Sequence, residues 1–109
     1  MYQTPRRSPR FLFIAAAEIA CRESGGRFGC RVAKLSLHGC YVNTPNTLPI
    51  GREVSIKIFV ESECFAATAK VIYELANSGM GLAFEEVSAK SGEILRRWLL
   101  RANGGPKRL

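Results

Sequence analysis

Hydrophobic and polar residues alternate along several short stretches of the chain, which is the pattern of strands that bury one face. Residues 53–60 alternate most clearly, with valine or isoleucine at every second position from Val54 to Val60. Residues 65–73 alternate in the same way, and the pattern predicts an inward row that includes Phe65 and Tyr73. Both stretches therefore predict amphipathic strands with one face in a hydrophobic core.

Further strands are predicted over residues 11–22, 27–35, 40–42 and 80–84. Turn signals separate the strands, among them two adjacent glycines at 25 and 26, the segment 36–39, and a loop over 43–49 that contains two prolines. Five or six short strands at this spacing favour a closed sheet, because closure removes the exposed edges. The predicted fold class is therefore all-β, as a small antiparallel β-barrel.

After Phe84 the apolar spacing changes from every second residue to that of a helix. Four apolar residues share one helical stripe: Ile94, Leu95, Trp98 and Leu99. Ser88 is the predicted N-cap, and the helix is predicted to end near Arg101, because cations suit the C-terminal end of a helix dipole. Trp98 is predicted to be a core residue that caps the barrel.

The charge lies mainly at the two ends of a chain whose 109 residues suffice for one domain. The net charge is +7, from 16 basic and 9 acidic residues, and residues 1–10 and 96–109 hold eight of the basic residues and no acid. We therefore predict a basic N-terminal arm over residues 1–10, a single domain over 11–101 and a flexible basic tail over 102–109. Cations at the ends favour an anionic partner from outside the fold.

Several catalytic and metal-binding classes lack the residues that they need. All nine acids are glutamates and His38 is the only histidine, which excludes Ser-His-Asp triads and EF-hand loops. The four cysteines form no CxxC pair and fit no common zinc module. A dyad of Cys40 and His38 would lack an orienting carboxylate. We therefore predict no enzyme activity, no catalytic residue, no metal site and no cofactor.

The cysteines and the N-terminal segment together predict a cytoplasmic chain. The cysteines are expected to be small buried residues of a reduced protein. Arg6 and Arg7 followed by the apolar residues 11–17 are similar to a secretory signal, but Glu18 ends this apolar run after seven residues. A membrane span needs about 20 apolar residues in succession, which the chain does not have. No membrane span is therefore predicted.

Two short motifs remain that folding alone does not explain. Arg6-x-x-x-Arg10, with Arg7 and a proline inside it, precedes the first predicted strand, and Ser36-x-x-Gly39 interrupts the strands that follow. In these motifs, and in the ending Gly79-Met-Gly-Leu-Ala-Phe84 before an apolar helix, the chain resembles the PilZ family. That family comprises bacterial receptor domains for the second messenger cyclic di-GMP. The resemblance spans nearly the whole chain and implies a six-stranded antiparallel barrel with a C-terminal helix.

The resemblance also implies a ligand-binding site. Its residues would be Arg6, Arg7, Arg10, Lys34, Ser36 and Gly39. Arg6 and Arg10 would grip guanine and phosphate, because a guanidinium can meet the O6 and N7 acceptors of guanine bidentately and can stack on its face. Ser36 could donate to a phosphate oxygen, and Gly39 would leave room for the ligand.

Lys34 departs from the family pattern, which has Asp or Asn at this position. An ammonium group offers three donors and no acceptor, so it cannot pair with the N1–H and N2–H₂ donors of guanine. An unpaired buried edge costs about 1–3 kcal/mol, although the long lysine stem can turn to a phosphate instead.

Three functions stay open on the sequence. The first is a cyclic di-GMP-binding signalling module, whose arginine arm orders over the barrel when the nucleotide binds and changes the surface offered to a protein partner. The second is a degenerate adaptor that does not bind cyclic di-GMP and acts through protein contacts. The third is a small basic barrel for single-stranded nucleic acid. It is disfavoured, because such barrels expose aromatic residues, whereas Phe65 and Tyr73 are predicted inward and Tyr41 is the remaining candidate.

Overall fold

The computed structural model of the chain describes residues 10–102, which form six strands and one helix. The strands are β1 (Phe11–Cys21), β2 (Arg27–Ser36), β3 (Gly39–Asn43), β4 (Glu53–Val60), β5 (Glu63–Leu75) and β6 (Gly79–Val87), and the helix is α1 (Ala89–Ala102). Most of the predicted arm, residues 1–9, and most of the predicted tail, residues 103–109, lie outside the described residues.

The six strands close into a barrel in the order β1-β2-β3-β6-β5-β4. Every neighbouring pair is antiparallel. The predicted all-β fold class, a six-stranded antiparallel barrel with a C-terminal helix, is therefore confirmed. Strand β1 closes the barrel, since it pairs with β2 along one edge and with β4 along the other.

The inward positions of the strands form the core, and α1 packs on it. Trp98 is 1% exposed, and its ring lies 5.5 Å from that of Phe13 and 6.4 Å from that of Phe65. The prediction that Trp98 is a core residue is confirmed. The predicted N-cap is also confirmed, because the Ser88 hydroxyl accepts the Ser91 N–H at 3.2 Å.

Glu63, at the start of β5, fastens α1 to the barrel. Trp98 Nε1 donates to one carboxylate oxygen at 2.9 Å, and Arg97 Nη2 lies 2.8 Å from the other. The hydrogen bond from Trp98, and after it the one from Arg97, lowers the pKa of the Glu63 carboxyl. The indole N–H therefore has a charged partner at the edge of the core.

Tyr73 corrects one prediction about β5. The register shifts between Val71 and Tyr73, so that Val71 pairs with Leu82 and Tyr73 pairs with Gly81. Such a bulge reverses the side to which the following residue points. Tyr73 is half-buried and contacts exposed residues, so its predicted place in the inward row is wrong.

The cysteines correct a second prediction. All four are free, but Cys30 is half-buried and Cys64 is exposed, on the outward position of β5 beside the inward Phe65. Only Cys21 and Cys40 have the predicted burial. Burial raises the pKa of the Cys40 thiol far above its ordinary value, which removes the thiolate that a dyad with His38 would require.

Helix α1 lacks the length and the apolar character of a membrane-spanning helix, and the part of the chain that the structure describes contains no other candidate.

Glu63 should make stability depend on pH. A carboxyl with a lowered pKa in the folded chain stabilises the fold above its ordinary pKa, and this contribution is lost as the pH falls through the lowered pKa. We expect Glu63→Gln to lower the melting temperature slightly at neutral pH, and the deficit to shrink as the pH falls below about 4.5. Thermal unfolding followed by circular dichroism measures both effects. The control is Glu93→Gln, an exposed glutamate of α1, and an equal deficit in the control would contradict the assignment.

Gly39 should be required by the sheet. A Cβ at this position would overlap the carbonyl oxygen of Leu82 on β6. We expect Gly39→Ala to lower the free energy of unfolding by roughly 1–3 kcal/mol, as overpacking does. Gly29→Ala is the matched control, because its Cβ would meet nothing nearer than the Ala17 carbonyl oxygen at 3.9 Å. Urea unfolding compares the two variants, and equal stability would show that β3 and β6 can separate to admit the methyl group.

Candidate ligand-binding site

The turn between β2 and β3 contains the second sequence motif. Ser36 and Gly39 are register partners at the ends of these strands. The buried Ser36 hydroxyl donates to the Gly39 carbonyl oxygen at 3.2 Å and accepts the His38 N–H at 3.3 Å. The hydroxyl thus bridges the two-residue turn. The hydroxyl has one proton, and it donates that proton to the Gly39 carbonyl oxygen. Ser36 therefore stabilises the conformation of the β2–β3 turn.

Gly39 allows β3 and β6 to approach each other. The space for a Cβ at residue 39 is filled by the Leu82 carbonyl, and the Phe84 N–H donates to the His38 carbonyl oxygen at 2.9 Å. The sheet therefore needs a glycine here whether or not a ligand approaches the turn.

Lys34 is exposed on the outer face of β2. Its register partners are Leu12 on β1 and Tyr41 on β3. Directly opposite residues of antiparallel strands project on the same side, with Cβ atoms about 5 Å apart. The ammonium group therefore lies on the outside of the barrel, one strand away from Tyr41.

Arg10 precedes β1 and is the one of the three predicted arginines that the structure describes, because Arg6 and Arg7 lie outside the described residues. Phe11 pairs with Leu35, so the chain before Phe11 runs beside Ser36. Arg10 Nη1 donates to the Tyr73 hydroxyl at 3.5 Å, a long and exposed contact. The start of the arm and the second motif thus lie at the same end of the barrel.

Tyr41 and Tyr73 form a ring pair beside these residues that the sequence reasoning did not predict. Tyr41 on β3 and Tyr73 on β5 flank β6, with ring centroids 6.0 Å apart and ring planes 18° apart. The signal in the sequence is the pair of glycines at 79 and 81, which leaves the outer face at the start of β6 without side chains of its own.

A recess at the other end of the barrel does not involve the motifs. It has a volume of about 540 Å³ and is lined by residues that include Cys21, Phe28, Thr47, Arg52 and Asn77. None of the predicted ligand residues is among its lining residues. The candidate site is instead the outer surface around Arg10, Lys34 and the β2–β3 turn.

Comparison with known structures shows the same fold at low sequence identity. The inhibitor of motility (MotI/DgrA) of Bacillus subtilis has a TM-score of 0.79 and 16% identity, over 97% of this chain and 55% of that one. The chain therefore spans about half the length of that protein. The PilZ domain of YcgR from Escherichia coli, solved with cyclic di-GMP, has a TM-score of 0.72 and 17% identity, over 92% of each chain.

The PilZ domain of CeSA from a cellulose-synthesizing bacterium has a TM-score of 0.69 and 17% identity, over 88% of this chain and 99% of that one. No curated protein matched the sequence.

A family model covers both motifs. The model of the PilZ domain matches residues 4–101, a range that contains Arg6-x-x-x-Arg10, the β2–β3 turn, β6 and nearly all of α1. The match and the closed six-stranded barrel agree with the resemblance read from the sequence. The chain therefore belongs to the PilZ family.

Proposed function

We propose that this chain is a receptor domain for cyclic di-GMP that binds the nucleotide on the outer surface of the barrel, between the arginine arm and the β2–β3 turn. One observation carries the proposal: the pairing of Phe11 with Leu35 sets Arg10 beside Ser36. Two segments that lie far apart in the sequence can therefore contact one small ligand. The PilZ domain of YcgR, whose structure holds cyclic di-GMP, supports the choice of ligand.

The arginines supply the recognition chemistry in this proposal. Arg10, together with Arg6 and Arg7, presents guanidinium groups that pair with phosphate oxygens and with the O6 and N7 atoms of guanine. The contact between Arg10 and Tyr73 is long and exposed, so a phosphate can replace the hydroxyl at little cost. Ligand binding then draws the arm onto the barrel.

Ser36 and Gly39 shape the floor of the proposed site. The Ser36 hydroxyl holds the turn, and the glycine keeps β3 close to β6. Their contribution to affinity comes through the shape of this turn as well as through contact with the ligand.

No bond is made or broken in this function, so it requires no catalytic residue and no cofactor. The receptor acts by changing the surface that it offers to a protein partner when the arm is ordered. We assign this activity to the bacterial cytoplasm, because a receptor for a second messenger must be in the compartment that contains the messenger.

Lys34 supports a second candidate function, a degenerate adaptor that contacts proteins without the nucleotide. The exposed ammonium group stands beside Tyr41, at the position where the family has Asp or Asn, and it has no acceptor for the donor edge of guanine. The same charge can attract a phosphate, which is why we prefer the receptor function.

Titration calorimetry with cyclic di-GMP tests the receptor function. We expect the unchanged protein to bind the nucleotide and Arg10→Ala to bind about tenfold to a hundredfold more weakly, because a hydrogen bond to a charged group contributes roughly 1.5–3 kcal/mol. Arg22→Ala removes the same charge from an exposed residue just after β1, at the opposite end of the barrel, and is expected to bind normally. Absence of binding by the unchanged protein, or equal weakening in both variants, would overturn the proposal.

Replacement of Lys34 separates the two candidate functions. Under the receptor function, Lys34→Asp should strengthen binding about tenfold, because the carboxylate pairs with the donor edge of guanine. Under the adaptor function, the unchanged protein gives no heat and Lys34→Asp gains binding. Lys34→Met, which removes the charge without adding an acceptor, is the control. If Lys34→Met and Lys34→Asp bind equally well, the acceptor argument is wrong.

A further inference from the structure

Tyr41 and Tyr73 rest on the outer surface of β6. Met80 and Leu82 point into the core, so the glycines at 79 and 81 occupy outward positions. A Cβ on the glycine at 79 would lie 2.5 Å from Cζ of Tyr41, and a Cβ on the glycine at 81 would lie 2.6 Å from Cζ of Tyr73. Each ring therefore covers a glycine of the strand between them.

The two rings are nearly parallel and contact the same strand. Their planes differ by 18° and their centroids are 6.0 Å apart, while both rings rest on the same strand. Both rings therefore approach the outer surface of β6 closely. Both tyrosines are only half-buried, so part of the pair remains accessible to a planar group.

Cations stand at the border of this surface. Lys34 on β2 pairs with Tyr41 on β3, Tyr41 pairs with Gly81 on β6, and Gly81 pairs with Tyr73 on β5, so these residues form one outward row across four strands. Arg10 donates to the Tyr73 hydroxyl at the end of this row. An aromatic surface bordered by an ammonium and a guanidinium group suits a ligand with a planar base and an anionic phosphate.

We propose that Tyr41 and Tyr73 are the stacking platform for a guanine base of the nucleotide. The proposal rests on the proposed receptor function and adds two specificity-determining residues outside both sequence motifs. Stacking on a tyrosine face requires no acceptor from the protein. The platform can thus hold a base whose donor edge Lys34 leaves unpaired.

A purely structural role makes a different prediction. Aromatic rings that cover glycines can stabilise a sheet without any ligand. In that case, removal of a ring lowers the stability of the free protein and leaves the affinity for the nucleotide unchanged. Affinity and stability must therefore be measured separately on the same variants.

Three variants of the pair separate these roles. In Tyr73→Leu and Tyr41→Leu a ring is lost, and we expect the affinity for cyclic di-GMP, measured by titration calorimetry, to fall about tenfold or more. In Tyr73→Phe the ring is kept and the hydroxyl partner of Arg10 is lost, so we expect an affinity within about threefold of the unchanged protein. Thermal unfolding of each variant without ligand gives the temperatures at which it is folded. Binding is then compared at a temperature at which all variants are folded.

Phe59→Leu is the matched control, since Phe59 is an exposed aromatic residue of β4, a strand that borders neither β3 nor β6. It is expected to bind normally. If the unchanged protein binds and Arg10→Ala weakens binding, but both leucine variants bind normally, the platform is refuted and the receptor function stands. If the unchanged protein does not bind cyclic di-GMP, both proposals fail. Ring-dependent binding of a single-stranded RNA oligomer, without binding of cyclic di-GMP, would also overturn both.

Discussion

Strand β1 is hydrogen-bonded along both of its edges, and the closure of the barrel and the position of Arg10 depend on this double pairing. The ladder with β2 begins at Phe11, whereas the ladder with β4 begins at Ala16. The two ladders are therefore offset, and the first residues of β1 lie beside β2 before β4 joins. The chain enters the barrel next to the β2–β3 turn as a direct consequence, because antiparallel pairing sets the start of β1 against the end of β2.

The second motif stabilises the fold whether or not it also binds a ligand. Ser36 bridges its own turn and Gly39 admits β6, so both residues would be favoured in this barrel without a ligand. Loss of binding on replacement of either residue would therefore not demonstrate contact with the nucleotide. Arg10 and Lys34 are different, because their charged groups lie outside the core and can change without disturbing it. These two residues are the informative probes of the site.

Local patterns in the sequence were sufficient for most of the fold. The bounds of β4 and the N-cap at Ser88 could be predicted because alternation and capping depend on neighbouring residues. The direction of Tyr73 could not, because it follows from a bulge whose location is set by the pairing of β5 with β6. The residues of the candidate site were predicted by the family resemblance, whereas the Tyr41–Tyr73 pair depends on which strands become neighbours of β6.

The positions of hydrogen-bond donors and aromatic rings determine which nucleotide bases the proposed site can distinguish. Hydrogen bonds to base edges discriminate among bases, whereas phosphate contacts and stacking are largely indifferent to base identity. With Lys34 in place of an acceptor, the outer row offers cations and aromatic rings. In the proposed receptor, the guanidinium groups of the arm would then be the groups that contact the O6 and N7 edge of guanine. Selectivity for guanine would thus depend on the arm, while the barrel surface supplies affinity. A receptor divided in this way would couple recognition of the correct base to ordering of the arm, and a protein partner would detect that structural change.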